Sequence, residues 1–178
     1  EQEFVTARLD INITDNHRLT LNHKEVESSK LNGANSSYGT FNFSSAEYQK
    51  GENTETDGFL LVSNWSDDLI TEISYSTKTQ KTSQMSPVGQ NLPSFEIDNC
   101  GAAGISCELG PDIFRSANAL DTENTFLKAK LTYYDDNHKW TAGYEMKEWD
   151  IYNVFIVAQN GSYSFDGIAG YESQNATS

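Results

Sequence analysis

The chain opens with a stretch in which apolar and polar residues alternate almost without a break. Between residues 4 and 13, apolar side chains occupy every second position and polar ones lie between them. Successive side chains of a β-strand point to opposite faces, so this period of two predicts a strand with one apolar and one polar face. Its length of about ten residues is what a tilted strand needs to cross a bilayer.

Two later stretches repeat the alternation, and all three double back through a short polar turn. The turns lie at 14–17, 66–68 and 135–138. They predict three hairpins, at about 4–26, 59–78 and 125–155. The long polar segments between them, at about 27–57 and 79–124, have the composition of loops. A further extended stretch is predicted at 161–166, and no amphipathic helix of any length is predicted.

Short turns at one end of the strands and long loops at the other are typical of an outer-membrane β-barrel. The expected fold is therefore all-β, with antiparallel hairpins that form about six strands of a larger transmembrane β-barrel. Residues 1–178 are expected to be a fragment of that barrel domain. The apolar faces would contact lipid and the polar faces would line the lumen. The predicted lipid-facing residues are Val5, Ala7, Leu9, Ile11, Ile13, Leu127, Ala129, Leu131 and Tyr133.

Aromatic residues lie beside the turns, where a barrel carries its interfacial girdle. Trp65 precedes the second turn, and Tyr134 and Trp140 flank the third. Ordinary sheet packing is the alternative, because aromatic residues favour strands in any case. His23 and Glu25 oppose the barrel prediction, since both fall on the apolar face of the second strand, where an ionisable group facing lipid is costly.

The overall charge narrows the possible partners. The net charge of −14 argues against nucleic acid and against docking on anionic lipid by charge. The longest apolar run, at 154–158, is far shorter than the roughly 20 residues of a transmembrane helix. No signal peptide is visible and the sequence opens on Glu1, which suggests a removed leader or an internal piece of a larger chain.

The two cysteines, Cys100 and Cys107, lie in a glycine-rich segment that can turn back on itself. A local disulfide is expected between them, which implies an oxidising compartment. Two free thiols or half of a metal site are the alternatives, and the second lacks a nearby histidine or third cysteine.

Several segments resemble a known family in the order in which they occur. They include Phe-Arg-Ser-Ala-Asn-Ala-Leu-Asp-Thr-Glu-Asn at 114–124, Thr-Ala-Gly-Tyr-Glu at 141–145, Trp-Asp-Ile-Tyr-Asn-Val-Phe at 149–155 and Gly-Ser-Tyr-Ser-Phe-Asp-Gly-Ile-Ala at 161–169. Earlier segments are Leu-Asp-Ile-Asn-Ile-Thr-Asp-Asn-His at 9–17 and Phe-Leu-Leu-Val-Ser-Asn-Trp-Ser-Asp-Asp at 59–68, with Thr-Glu at 71–72. This succession resembles the barrel region of TonB-dependent outer-membrane receptors, in particular the Oar-like branch.

The resemblance implies a plugged barrel of about 22 strands in the bacterial outer membrane, with its long loops outside the cell. Such a receptor captures a nutrient or peptide-like ligand and imports it with energy transmitted by the TonB complex, although some Oar-like members are tied to export. Its partners would be the rest of the barrel, the plug, the TonB complex and the lipid bilayer. Four loop aromatics are the predicted ligand contacts: Tyr38, Phe41, Phe43 and Tyr48.

No catalytic motif is present, so no enzyme activity is predicted. No cofactor is expected except possible Ca²⁺ at Asp112, Asp121 and Glu123, and scattered surface acids are the alternative. A second hypothesis is a soluble extracellular β-sandwich that serves as an adhesin or carbohydrate-binding module. The low hydrophobic content of 37% favours it, as do His23 and Glu25 on the apolar face.

Overall fold

The computed structural model describes residues 1–34, 36–89, 91–115 and 118–178. Over these residues the chain is almost entirely β, as the alternation predicts. The strands are β1 (Gln2–Thr14), β2 (His17–Asn32), β3 (Thr40–Asn42), β4 (Tyr48–Asn64), β5 (Leu69–Met85), β6 (Ser94–Asp98), β7 (Ser106–Leu109), β8 (Asn118–Asp135), β9 (His138–Phe155) and β10 (Ser162–Asp166). One short helix, α1 (Gly167–Glu172), follows β10, and a 3-10 turn covers Ser44–Ala46.

Six long strands form an antiparallel sheet in the order β1-β2-β4-β5-β8-β9, which we call the large sheet. All three predicted tight connections are confirmed, at 15–16, 65–68 and 136–137. Each is held by a side-chain oxygen that accepts a hydrogen bond from a turn N–H. Thr14 Oγ1 accepts from Asn16 at 3.2 Å, Ser66 Oγ from Asp68 at 3.3 Å and Asp135 Oδ1 from Asp136 at 2.9 Å.

The strands run well beyond their predicted ends. β2 continues to Asn32, β4 begins at Tyr48, β5 reaches Met85 and β8 begins at Asn118, so the two long connections shrink to 33–47 and 86–117. The sequence pattern missed these extensions because most of the added residues are polar, so no regular alternation marks them. Residues 78–84, for example, contain no apolar side chain and are held in the sheet by backbone ladder hydrogen bonds, with side-chain hydrogen bonds from Gln80 to Glu52 and from Thr82 to the Leu120 carbonyl.

The long connections are more regular than predicted. Segments from both of them, together with β10, form a second sheet in the order β10-β6-β7-β3. β6 and β7 pair antiparallel, whereas β10 with β6 and β3 with β7 pair parallel. We call this small sheet together with α1 the cap. Its strand β10 confirms the extended stretch predicted at 161–166.

Only the region of the cap has an apolar core. The buried apolar residues among those described are Ala46, Ile97 and Phe165, and the large sheet contains none of them. The total exposed area is 11936 Å², whereas a compact protein of 19.9 kDa exposes roughly 8,700 Å². The excess arises because both faces of the large sheet are open. Within the described residues, no helix is long and apolar enough to span a membrane.

Candidate functional site

The large sheet carries an apolar band on one face, near the tight turns. Directly opposed residues of neighbouring strands share a face, so the register defines the rows of this band. One row is Leu9, Leu21, Phe59, Tyr75, Leu127 and Met146, and the next is Ile11, Leu19, Leu61, Ile73, Ala129 and Tyr144. Many of these side chains are open to solvent, with Leu9 at 55% and Tyr144 at 59% exposure. No described element covers the band.

The structure brings eight of the nine predicted lipid-facing residues onto this one face. The residues of β1 and those of β8 share this face because the pairing register is continuous across β2, β4 and β5. The ninth, Ile13, lies where the pairing of β1 with β2 shifts register, and its side chain is 56% exposed.

The opposite face of the large sheet is mostly polar and carries paired charges, although Leu60, Val62, Ile70 and Phe126 also lie on it. Asp10 accepts hydrogen bonds from Arg8 at 2.9 Å and from Thr20 at 2.6 Å, and it lies 3.1 Å from Arg18. Further along the sheet, Lys130 Nζ lies 2.7 Å from Glu72, and Lys128 pairs with Glu145 on the neighbouring strand. Opposite charges in register stabilise neighbouring strands by a few tenths of a kcal/mol to about 1 kcal/mol each. The two faces therefore differ sharply in chemistry.

The predicted interfacial aromatics lie at the turn end of the sheet. Trp65 is 61% exposed, its ring meets His17 edge-on at 5.0 Å, and its Nε1 donates to Thr71 Oγ1 at 2.8 Å. Trp140 is also 61% exposed, and Tyr134 lies beneath the ammonium of Lys139 at 5.5 Å. The ring of Trp140 lies 6.0 Å from that of His138, so each of the three aromatics combines an exposed ring with a polar neighbour, the arrangement that an interface between water and an apolar medium favours.

A polar row follows directly beyond the apolar band on the same face. It contains His23 of β2 opposite Asp57 of β4, and the next row contains Glu25 opposite Glu55. His23 Nδ1 lies 2.8 Å from Asp57 Oδ1. Within the described part of the chain, His23, Glu55 and Asp57 are the one group of three potential metal ligands whose ligand atoms all lie within 4.8 Å of one another. His23, the ionisable residue that interrupts the apolar face in the sequence, is therefore part of a polar cluster.

The predicted disulfide is confirmed: Cys100 and Cys107 are bonded, with their Cα atoms 5.8 Å apart. It joins β7 to the loop that precedes it. The aromatic side of the cap lies around Phe95, whose ring contacts those of Phe165 at 6.2 Å and Tyr171 at 5.8 Å. α1 therefore packs against the small sheet through Tyr171.

A cavity of about 150 Å³ lies in the cap beside the segment 110–114. Its lining includes Phe95, Phe114 and two carboxylates, Glu96 and Glu108, that oppose each other in register. Burial raises the pKa of Glu108, and the nearby Glu96 and Asp112 raise it further, while a hydrogen bond with Asn42 acts in the opposite direction. The cavity therefore favours a neutral carboxyl or a cation near Glu108.

Of the four predicted ligand-contact aromatics, two are in ring contact with each other. Phe41 and Phe43 meet edge-on at 5.1 Å, and both are partly exposed. Tyr38 is completely exposed in the turn before β3. Tyr48 instead begins β4, where its ring lies 5.3 Å from the guanidinium carbon of Arg115.

The three predicted calcium ligands do not come together among the described residues. Asp112 is in the loop before β8, where its side chain accepts a hydrogen bond from the N–H of Phe114 at 2.7 Å. Asp121 and Glu123 lie on β8, opposite Lys81 and Thr79 of β5. Their oxygens therefore serve other contacts or face solvent, as the alternative of scattered surface acids expects.

Sequence reasoning missed the cap cavity and the partners of His23. Residues 94–98 and 106–109 are too short to stand out as strands beside the glycines and prolines that surround them. The available signal was the alternation of apolar and polar residues over 95–98. His23 was noticed, but Asp57 lies 34 positions away, so their contact requires the register of β2 on β4.

Comparisons with known proteins found no matching family model, no matching curated protein and no matching solved structure. The function must therefore be inferred from the chemistry of the sheet and the cap, together with the pattern of the sequence.

Proposed function

We propose that the large sheet is part of the wall of an outer-membrane β-barrel, and that the chain belongs to a TonB-dependent receptor that takes up an extracellular ligand. One observation carries the proposal: an exposed apolar band lies on one face of long antiparallel strands, and ion pairs lie on the other. Apolar surface of this extent requires an apolar environment. Lipid outside and water inside a barrel provide the two environments that these faces need.

The backbone hydrogen bonds between the strands of the large sheet support the same proposal. Antiparallel strands satisfy each other's backbone groups, which is the condition for any β-structure in a bilayer. In the described part of the chain β1 and β9 each pair on one side only. Further strands of the same receptor would pair with these two edges and close the barrel, because an open edge is not tolerated in hydrocarbon. The assignment to TonB-dependent receptors in particular rests on the resemblance in sequence order.

The orientation follows from the two ends of the sheet. Outer-membrane barrels have short periplasmic turns and longer extracellular loops, so the tight turns would face the periplasm and the cap would lie outside the cell. A disulfide between Cys100 and Cys107 suits an oxidising exterior. The cap would then be part of the mouth that receives a nutrient or peptide-like ligand, with Phe41 and Phe43 as contacts.

The alternative is a soluble extracellular β-sandwich with a binding role. His23 and Asp57, polar residues on the otherwise apolar face, are the observation that favours it. A sandwich needs a second sheet packed face to face on the first. The cap strands do not provide one, because in the described residues they pack against one another, α1 and the 3-10 turn rather than on the apolar band.

A matched pair of substitutions tests the proposal. Leu60 and Leu61 are adjacent on β4 and face opposite ways: Leu61 opposes Leu19 and Ile73 in the apolar band, and Leu60 opposes Thr20 and Ser74 on the polar face. In lipid vesicles we expect Leu61→Arg to reduce the folding free energy by about 2–4 kcal/mol. Leu60→Arg should change it by less than about 1 kcal/mol, because its side chain would face water. Denaturant titration of the complete receptor that contains this chain, folded in the vesicles, measures both.

Behaviour without lipid provides the decisive control. The wild-type chain should require detergent or vesicles to remain dispersed, since its apolar band is otherwise exposed. A monodisperse monomer in detergent-free buffer, measured by analytical ultracentrifugation, would contradict the membrane proposal. Equal effects of the two arginine substitutions would contradict it as well.

A further inference from the structure

The cluster of His23, Glu55 and Asp57 has the geometry of a metal-binding site built on two strands. Glu55 and Asp57 are two residues apart on β4, so their side chains leave the same face. His23 lies directly opposite Asp57 on β2. Two ligands from one strand and a third from the strand beside it form a triangle whose side chains converge above the sheet.

The distances allow the three groups to share one ion. Their ligand atoms lie within 4.8 Å of one another. Bonds of about 2.0–2.2 Å to a tetrahedral zinc ion place the ligand atoms about 3.4 Å apart. Side-chain rotations that move the exposed ligand atoms by about 1 Å close that difference. The contact of 2.8 Å between His23 and Asp57 already holds the imidazole and one carboxylate together.

The charges around the cluster also favour a cation. Glu25 lies directly opposite Glu55, and like charges in directly opposed positions destabilise a sheet. The contact between His23 and Asp57 leaves this repulsion in place. A divalent ion bound between the imidazole and the carboxylates would offset it, which distinguishes the cluster from an ordinary surface ion pair.

We propose that His23, Glu55 and Asp57 form a binding site for a divalent transition-metal ion of the Zn²⁺ class. An imidazole nitrogen with two carboxylates selects such an ion over Ca²⁺ or Mg²⁺, which prefer oxygen ligands alone. The side chains of His23 and Asp57 are 37% and 54% exposed, so the ion enters from solvent and keeps coordination positions for water. The bound ion links β2 to β4 just beyond the apolar band. This site does not depend on the membrane assignment.

The test uses residues 1–178, free of any histidine tag, treated with chelator and folded in detergent micelles. Calorimetric titration with Zn²⁺ should show saturable binding of one ion per chain. His23→Gln and Asp57→Asn should each weaken binding at least about tenfold, and Glu55→Gln should weaken it measurably. Co²⁺ provides a second measurement, because its visible absorption should change when His23 is replaced.

Two kinds of control separate this site from general attraction of cations. His17→Gln and His138→Gln remove the other two imidazoles of the chain, and Glu123→Gln removes a carboxylate that opposes Asp150 on the same face. All three variants should bind Zn²⁺ as the wild type does. Wild-type binding that is absent, or that survives in His23→Gln with an unchanged β-sheet circular dichroism spectrum, overturns the proposal. Equal weakening by the control substitutions overturns it too.

Discussion

The large sheet and the cap are held together by different interactions. The large sheet has strands of 13–18 residues and a continuous ladder, yet it buries no apolar side chain. The cap has strands of 3–5 residues, but it is associated with all the buried apolar residues described and has the disulfide. The part with more secondary structure therefore has less of a core.

This difference shows that regular hydrogen bonding and hydrophobic burial are separable. A backbone hydrogen bond adds only about 1 kcal/mol net, because the unfolded chain bonds to water. In water the large sheet would lack the main driving force for folding, which is apolar burial. Its stability therefore depends on whether the apolar band is covered, whereas the cap is stabilised from within by buried side chains and a disulfide.

The largest effect is expected in the core of the cap. Phe165 of β10 is 6% exposed and lies 5.2 Å from the ring of Tyr171. Phe165→Ala removes a buried ring and leaves a cavity, so we expect the cap to lose about 3–5 kcal/mol. Phe43→Ala is the matched control, since Phe43 is 41% exposed and should change stability little. Hydrogen exchange of the amides in β6 and β10 measures the loss.

The large sheet provides the other half of this comparison. The amides of β4 and β5 should keep their protection in Phe165→Ala, because the cap strands make few contacts with these strands among the described residues. An equal loss of protection in β4 and β5 would show that both regions unfold as one unit. The separation drawn above would then be wrong.

A smaller effect is expected from the disulfide. Replacing Cys100 and Cys107 together by alanine releases a loop of eight residues, and chain entropy predicts a loss of about 2.5 kcal/mol. The loss should appear in the amides of β6 and β7 and should leave those of the large sheet unchanged. Reduction of the wild type by a thiol reagent should reproduce it. Unchanged exchange in β7 after reduction would contradict the assigned role.

The same contrast explains what the sequence could predict. The three hairpins and their turns were predictable because strand partners adjacent along the chain are joined by recognisable turns. The disulfide was predictable because glycines surround two nearby cysteines. The all-β class followed from a period of two in the apolar positions alone.

Features that depend on distant segments were not predictable from local pattern. β3 pairs with β7 through Thr40 and Ser106, and β10 pairs with β6 through Ser162 and Ser94. Parallel pairing between segments more than 60 residues apart leaves no local signal in the sequence. The His23 cluster was hidden for the same reason, since it exists only after β2 and β4 align.

The smallest effect is expected from pH, through Glu108 in the cap cavity. Burial raises its pKa above the usual value of 4.5, so the folded cap binds a proton more readily than the unfolded chain does. Cap stability should therefore be highest in acid, fall as the pH rises from about 4.5 through the raised value, and stay constant above it. Glu108→Gln should remove this fall and make the cap more stable than wild type at neutral pH. Hydrogen exchange of the cap amides, corrected for its intrinsic pH dependence, measures the fall and the effect of the substitution. A Glu108→Gln cap that is less stable than wild type at neutral pH would contradict the role assigned to Glu108.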